Sequence, residues 1–318
     1  MTAFIVRRVG QAVIVVIGVT AVTFLLEHLI PGNLARAILG TRASPAAIAA
    51  FNQANGLDHP LVEQYATFLG RLARGDLGYS YRLNQSVDSL VLHQLPNDLL
   101  IVGTALVLAL VIAIPLGIAQ AVRRNRALDH LATSAAFALY SMPSYWLVIL
   151  LIAGLSIAVR AFPAEAPQAA TVGGMLADPR ALVLPVLTLT LVNVALFSRY
   201  MRAAAVGTLA EDYIRVARAK GLPARLVLWR HVLRNSLISV TTLVGLSFPA
   251  ILTSGLVVEY VFNVPGVGLT YYTAAVNSDY PVELGITVLV GVVTVAGNLC
   301  ADLAYAILDP RVRHDGAR

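Results

Sequence analysis

Hydrophobic residues in this chain gather in long unbroken runs, separated by short polar breaks. Six runs are long enough to cross a roughly 30 Å hydrocarbon core as helices of about 20 residues. They cover residues 9–26, 99–122, 131–159, 181–197, 237–258 and 284–308. The pattern predicts an all-α polytopic membrane protein with six transmembrane helices. Pro115, Pro143, Pro185 and Pro249 fall inside these runs. Each removes a backbone donor, so a kink or an interruption is expected there. Such breaks are tolerated at membrane depth where neighbours or a water-filled cavity satisfy the freed groups. The first run follows Arg7-Arg8 like a secretory signal. It is long for one and no small-residue cleavage site follows, so a retained anchor is expected.

The polar breaks supply the topology. With both termini cytoplasmic, the inner pieces are 1–8, 123–130, 199–236 and 309–318, holding 16 of the 23 Lys and Arg and 5 of the 17 acids. The other side collects 10 acids and 7 basic residues. That bias is the positive-inside rule. Residues 31–97 carry the turn signals PGN, NGLDHP and GDLGYSY and read as a small folded extracytoplasmic insert. The expected organisation is residues 1–97 as N-terminal helix plus insert, then 98–318 as a five-helix core with a cytoplasmic loop at 199–236.

Composition narrows the class further. Hydrophobic residues make up 58% of the chain and charged residues 13%, against roughly a quarter charged in soluble domains. The single cysteine, Cys300, excludes an internal disulfide and a Cys-based zinc site. Six histidines show no metal-ligand spacing. The net charge of +6 is explained by loop arginines, which argues against nucleic acid as a partner.

The fullest basic loop reads YIRVARAKGLPARLVLWRHVLRN, residues 213–235, and contains the only lysine, Lys220. Glu211-Asp212 suit the positive end of a helix dipole. Tyr213 to Lys220 can form two turns with Ile214, Ala217 and Gly221 along one side. Gly221 and Pro223 are stop signals, and Pro223 pre-sets a second helix to about Asn235, with Leu226, Trp229 and Leu233 on one face. Anionic lipid would need only the charge. The small Ala217-x-Ala219-x-Gly221 side and the placed turn point instead to docking in a protein groove.

An energy source is missing from the chain itself. A P-loop needs lysine after glycine, but Lys220 follows Ala219. Ion-driven carriers usually place charged groups within the membrane; here Glu27 and Asp302 sit only toward span ends. Scattered Ser, His and Asp form no nucleophile motif, so an enzyme is not expected. A stand-alone ion-coupled carrier, using neutral oxygens, is the alternative from a different class.

At this point the residues resemble a family. Ala217, Gly221 and Leu233 match the loop pattern of binding-protein-dependent ABC importer permeases. ARAKG at 217–221 and HVLRN at 231–235 resemble the dipeptide/oligopeptide/nickel branch, first of its two permease subunits. So do Arg7-Arg8 with Pro31-Gly32, GDLG at 75–78, and Glu259, Val261, Phe262, Pro265, Gly266 and Gly268. The closing Asp279-Tyr280-Pro281, Asn298, Asp302, Tyr305 and Asp309-Pro310-Arg311 complete the series.

The resemblance implies a type I importer permease core in helices 2–6. It implies ATPase coupling by Tyr213, Arg215, Ala217, Ala219, Lys220 and Gly221, with Arg230, His231, Arg234 and Asn235 on the second loop helix. An extracytoplasmic gate or docking region is expected at Glu259, Phe262, Pro265 and Gly266. Asn193, Ser247, Thr253 and Ser254 are candidates for the translocation path. The implied partners are a homologous second permease, cytoplasmic ABC ATPase subunits that bind ATP and Mg, and an extracytoplasmic substrate-binding protein. This chain itself is expected to hold no cofactor or metal and to reside in the cytoplasmic membrane. Peptides are the expected cargo, with nickel, haem or glutathione open within the same family. Asp302–Arg311 is expected as an ion pair. Asn298 and Tyr305 are expected to join helices, with Gly285, Gly291 and Gly297 allowing close approach.

Overall fold

Small residues every fourth position explain the centre of the molecule. A computed structural model describes residues 2–29, 34–40 and 42–308; the side chains of 1–6, 246–254 and 300–308 are among those outside the description. Helix α5 (Val87–Val122) carries Ala105, Ala109, Ala113, Gly117 and Ala121 on one line, all buried. That line receives α9 (Pro179–Ala210). Thr190 reaches the carbonyl of Ala105, Phe197 packs on Ala109 and Ala113, and Ala121 meets Ala205. Positions rise together on both helices, so the two run parallel. Gly117 marks the closest approach, where a Cβ would sit 2.7 Å from the Met201 Cβ. With no hydrophobic drive between helices in lipid, such close packing of small residues holds the pair.

The chain returns between these parallel helices through α6 (Ala127–Ser141), α7 (Ser144–Leu151) and a π-helical turn, Ile152–Ala158. The bend between α6 and the α7 segment is 106°. Pro143 stands at the break, as the proline pattern predicts. Pro115 and Pro185, by contrast, lie within helices that continue past them. Short α8 (Val172–Leu176) leads into α9. The run expected at 181–197 is only part of α9, which continues to Ala210 before the loop begins.

Before α5 come α1 (Thr2–Leu29), α2 (Leu34–Leu39), α3 (Pro45–Ala54) and α4 (Leu61–Leu72). A two-stranded antiparallel hairpin, β1 (Tyr79–Ser80) with β2 (Gln85–Ser86), pairs Tyr79 with Ser86 and Ser80 with Gln85. The all-α expectation therefore needs this one small hairpin added. Residues 97 and 98, where a division was expected, are consecutive within α5.

Beyond α9 lie α10 (Asp212–Ala219), α11 (Ala224–Val227), a π-helical turn Leu228–Leu233, α12 (Arg234–Phe262), α13 (Val267–Asn277) and α14 (Tyr280–Leu308). α14 packs on α12 and α1. Gly291 lets α1 approach: a Cβ there would lie 2.9 Å from Val19. Asn298 and Gln11 of α1 line the same groove, while Asp302, Tyr305 and Arg311 fall outside the described side chains.

Among the described residues, four helices are long and apolar enough to cross a membrane: α1, α5, α9 and α14. The bent α6–α7 pair makes up to 5. The run expected at 237–258 belongs to α12, part of whose side chains lie outside the description.

Candidate functional site: the basic loop after α9 and the α13 turn

The loop after α9 folds as the charge and glycine pattern dictate, with one extension. Glu211 takes an extended conformation as the residue before α10. Its eight-residue helix ends at Lys220, whose N–H bonds to the Val216 carbonyl at 3.0 Å. Gly221 then turns the chain at φ +77, donating to Arg218. That left-handed conformation is open to glycine at little cost. Pro223 starts α11, which runs through its π-helical turn directly into α12. The second loop helix therefore runs on into the 29-residue α12 and is not a separate segment ending near Asn235.

α10 has two faces. Ile214 and Ala217 are 1% and 7% exposed and pack with Ala121, Ala205, Val227 and Val232. The opposite face presents Tyr213, Arg215, Val216, Arg218, Ala219 and Lys220 to the outside. The small-residue side is thus divided: Ala217 packs within the chain, while Ala219 and Gly221 remain outside. Asp212 and Arg215 pair at 2.9 Å on the surface.

The loop helices are also tied at their polar edge. Asn235 Nδ2 donates to the Tyr213 hydroxyl at 3.1 Å and to the His231 carbonyl at 2.8 Å. The His231 and Tyr213 rings lie with centroids 6.4 Å apart. Burial, then the Glu211 carboxylate, push the Tyr213 phenol above its ordinary 10.0, so the hydroxyl keeps its proton. Arg230, Arg234 and Trp229 remain exposed.

The second site lies at the far end of α12. Asn263 closes α12 in the left-handed region at φ 53. Pro265-Gly266 then lead into α13, whose first N–H groups have no capping side chain from Gly266. Two acids from other helices fill that role. Asp98 Oδ2 of α5 accepts from Val267 N at 3.0 Å, and Glu259 Oε2 of α12 accepts from Leu269 N at 2.9 Å. Each acid is 4% exposed. Carboxylates suit the unpaired donors and the positive end of a helix. Asn97 completes the clamp, its Nδ2 bonding to the carbonyls of Pro265 at 3.0 Å and Ala169 at 3.1 Å. Gly266 leaves room for both acids, because a Cβ there would overlap the carboxylates of Asp98 and Glu259.

Glu259 and Phe262 are buried, Phe262 completely. Neither offers a surface for docking, and their place is the frame beneath the turn. Asn193 spends its amide on the Leu189 carbonyl of its own helix, at 2.8 Å. Ser247, Thr253 and Ser254 lie outside the described side chains.

Two pairs escaped the sequence reading. Asn97-Asp98 stand just before an apolar run, where nothing local singles them out. Asp129 and Arg202 were counted as separate loop charges, yet Arg202 Nε and Nη2 hold the buried Asp129 at 2.6 and 2.8 Å. Asp129 also accepts from Asn125 N at 3.0 Å.

Residues 113–314 match the family described as binding-protein-dependent transport system inner membrane component. Residues 1–102 match its companion, the N-terminal part of such a membrane component. The chain belongs to the binding-protein-dependent transport system inner membrane component family. Both loop and α13 turn fall in the larger match, and the gap between the two matches falls within α5.

Relatives of this family component align end to end. The oligopeptide transport system permease protein AppB of Bacillus subtilis is 35% identical over 316 residues, covering 99% of this chain and 100% of that one. The probable D,D-dipeptide transport system permease protein DdpB of Escherichia coli is 37% identical over 333 residues, covering 98% and 97%. A putative peptide transport system permease protein of Brucella abortus is 35% identical over 315 residues, covering 99% and 100%. The chain is accordingly an inner-membrane ABC-type permease component, a transporter subunit and not an enzyme.

Proposed function

We propose that this chain is one permease subunit of an ATP-driven peptide importer. It pairs with a homologous second permease in a membrane heterodimer with both of its own termini cytoplasmic. Cytoplasmic ABC ATPase subunits, which bind ATP and Mg, seat on the outward face of α10. An extracytoplasmic substrate-binding protein delivers the cargo. ATP-driven closure of the ATPases shifts α10, and the shift alternates the cavity between inward-facing and outward-facing states.

The observation that carries this reading is the two-faced α10. Ile214 and Ala217 bolt it to α9 and α11, while Tyr213, Val216 and Lys220 are left outside. Because α11 runs on into α12, a push on α10 is delivered to a membrane helix without an intervening flexible link. The names of relatives, oligopeptide and D,D-dipeptide permeases among them, support peptide as the cargo. At the other end, the Asp98–Glu259 clamp on α13 gives the extracytoplasmic gate a defined hinge block.

The test is reconstitution in vesicles. The chain, its second permease, the ATPases and the binding protein together should accumulate a labelled short peptide only with ATP. Uptake by this chain alone, driven by an ion gradient, would reject the reading in favour of a stand-alone carrier.

A further inference from the structure

Helix α1, the insert and the start of α14 line a partly open cavity of about 510 Å³ that the basic loop and the α13 turn do not use. Small-ligand sites typically measure about 300–1,000 Å³ and combine aromatic walls with a few placed polar groups. Aromatic rings form the walls here. Phe24 and Phe68 lie with centroids 6.1 Å apart, and Phe51 meets Tyr81 edge-on at 5.5 Å. The Tyr81 hydroxyl is already used by Asn55, so this ring presents its apolar body to the cavity.

Most polar groups in the lining are also committed. His28 bonds to the Phe24 carbonyl and to Gln64, and His59 is engaged by Glu63 at 2.9 Å. Arg71 differs. It stands in the lining as an exposed residue, and its guanidinium makes no hydrogen bond or ion pair among the described residues. The Asp76 carboxylate, also in the lining, accepts only one bond, from Gly78 N.

A planar, permanently charged fork with no internal partner is matched to a carboxylate. The rings beside it are matched to an apolar or aromatic side chain, and Asp76 to an ammonium. One molecule carries all three groups: a short zwitterionic peptide. We infer that this cavity is a receiving site for the end of a short peptide. The C-terminal carboxylate sits on Arg71 and the last side chain between the rings of Phe51 and Phe68. It takes cargo on the insert side before the peptide enters the membrane path. The inference rests on the peptide-import reading above.

Direct binding tests it. The two-permease complex with its ATPases, in nanodiscs and without binding protein, is titrated with Ala-Phe and with C-terminally amidated Ala-Phe. Arg71→Gln should weaken Ala-Phe by about tenfold or more, the loss of one charge-assisted contact. Arg71→Lys should recover part of that loss. The amidated peptide should bind the native complex weakly and be indifferent to Arg71→Gln. Equal affinity of Ala-Phe for the native and Arg71→Gln complexes overturns the site, as does no binding to the native complex. In a second titration the peptide-free binding protein is added to both complexes; if Arg71→Gln weakens only that affinity, the site is overturned and the cavity is assigned to a docking loop of that protein. ATP-driven uptake through the full native assembly separates the two readings. If it fails, the import reading fails; if it holds while Arg71→Gln is silent, only this site does.

Discussion

Asn235 donates its side-chain amide to the Tyr213 hydroxyl at 3.1 Å, tying the first turn of α10 to the first turn of α12. The bond spans the Gly221 turn and closes a triangle whose other sides are apolar packing, Ile214 and Ala217 against Val227 and Val232. On the proposed coupling reading, a displacement of α10 would be carried into α12 through these contacts.

Removing either end of that bond should loosen the body without unfolding it. Tyr213→Phe and Asn235→Ala should each lower stability by about 0.5–1.5 kcal/mol, the range for one net hydrogen bond. In reconstituted vesicles each should reduce peptide taken up per ATP hydrolysed. The double variant should be no worse than the poorer single one, because both act on the same contact.

Gly221 is expected to be less forgiving. At φ +77 a β-branched residue is strained by about 1–3 kcal/mol. Gly221→Val should leave membrane insertion intact and uncouple ATP hydrolysis from uptake. Gly221→Asn should keep most of the activity, since Asn enters the left-handed region more readily. Parallel assays of uptake and ATPase rate check both. Uptake at the native level in Gly221→Val would remove the turn from the coupling path.

The α13 turn makes a separate prediction. Gly266→Ala would drive a methyl group into the Asp98 and Glu259 carboxylates. Crowding a packed site of this kind costs about 1–3 kcal/mol. Thermal unfolding in detergent should fall accordingly, and uptake should be impaired although the α10 face proposed to meet the ATPase is untouched.

Arg202 and Asp129 are expected to behave as a unit. Arg202→Met leaves Asp129 charged and 2% exposed, with its main partner gone. Such a loss costs about 3–5 kcal/mol, whereas replacing both partners by apolar groups is often neutral. Thermal stability of Arg202→Met should therefore fall well below that of Arg202→Met with Asp129→Leu.

These pairs show what the sequence carried and what it did not. The long apolar runs, the break at Pro143 and the turn at Gly221 were legible because each is set by local chain chemistry. The helical spacing of Ile214 and Ala217 on α10 was legible too, but Ala217 was read on the docking side, and the structure packs it within the chain. Asp98 was not legible, since its partners, Val267 N and the crowded Gly266, stand about 170 positions away and only tertiary folding brings them together. Arg202 looked like any inside arginine, and nothing local marks Asp129 as its buried partner. The line Ala105, Ala109, Ala113, Gly117 and Ala121 was available in the sequence as a four-residue repeat of small side chains. Its meaning needed α9 to be seen lying on it.

The central claim is that the outward face of α10 meets the ATPase, and it has a direct test. Val216 is 52% exposed on that face, and Ile214, two residues away, is 1% exposed on the other. With Cys300 replaced by serine, Val216→Cys in the assembled transporter should cross-link to the ATPase subunit through a short heterobifunctional reagent, thiol-reactive at one end and photoreactive at the other. Ile214→Cys should not. Cross-linking from Val216→Cys that changes with ATP is the predicted result. Absence of any cross-link from Val216→Cys in a complex that still imports peptide would contradict the account.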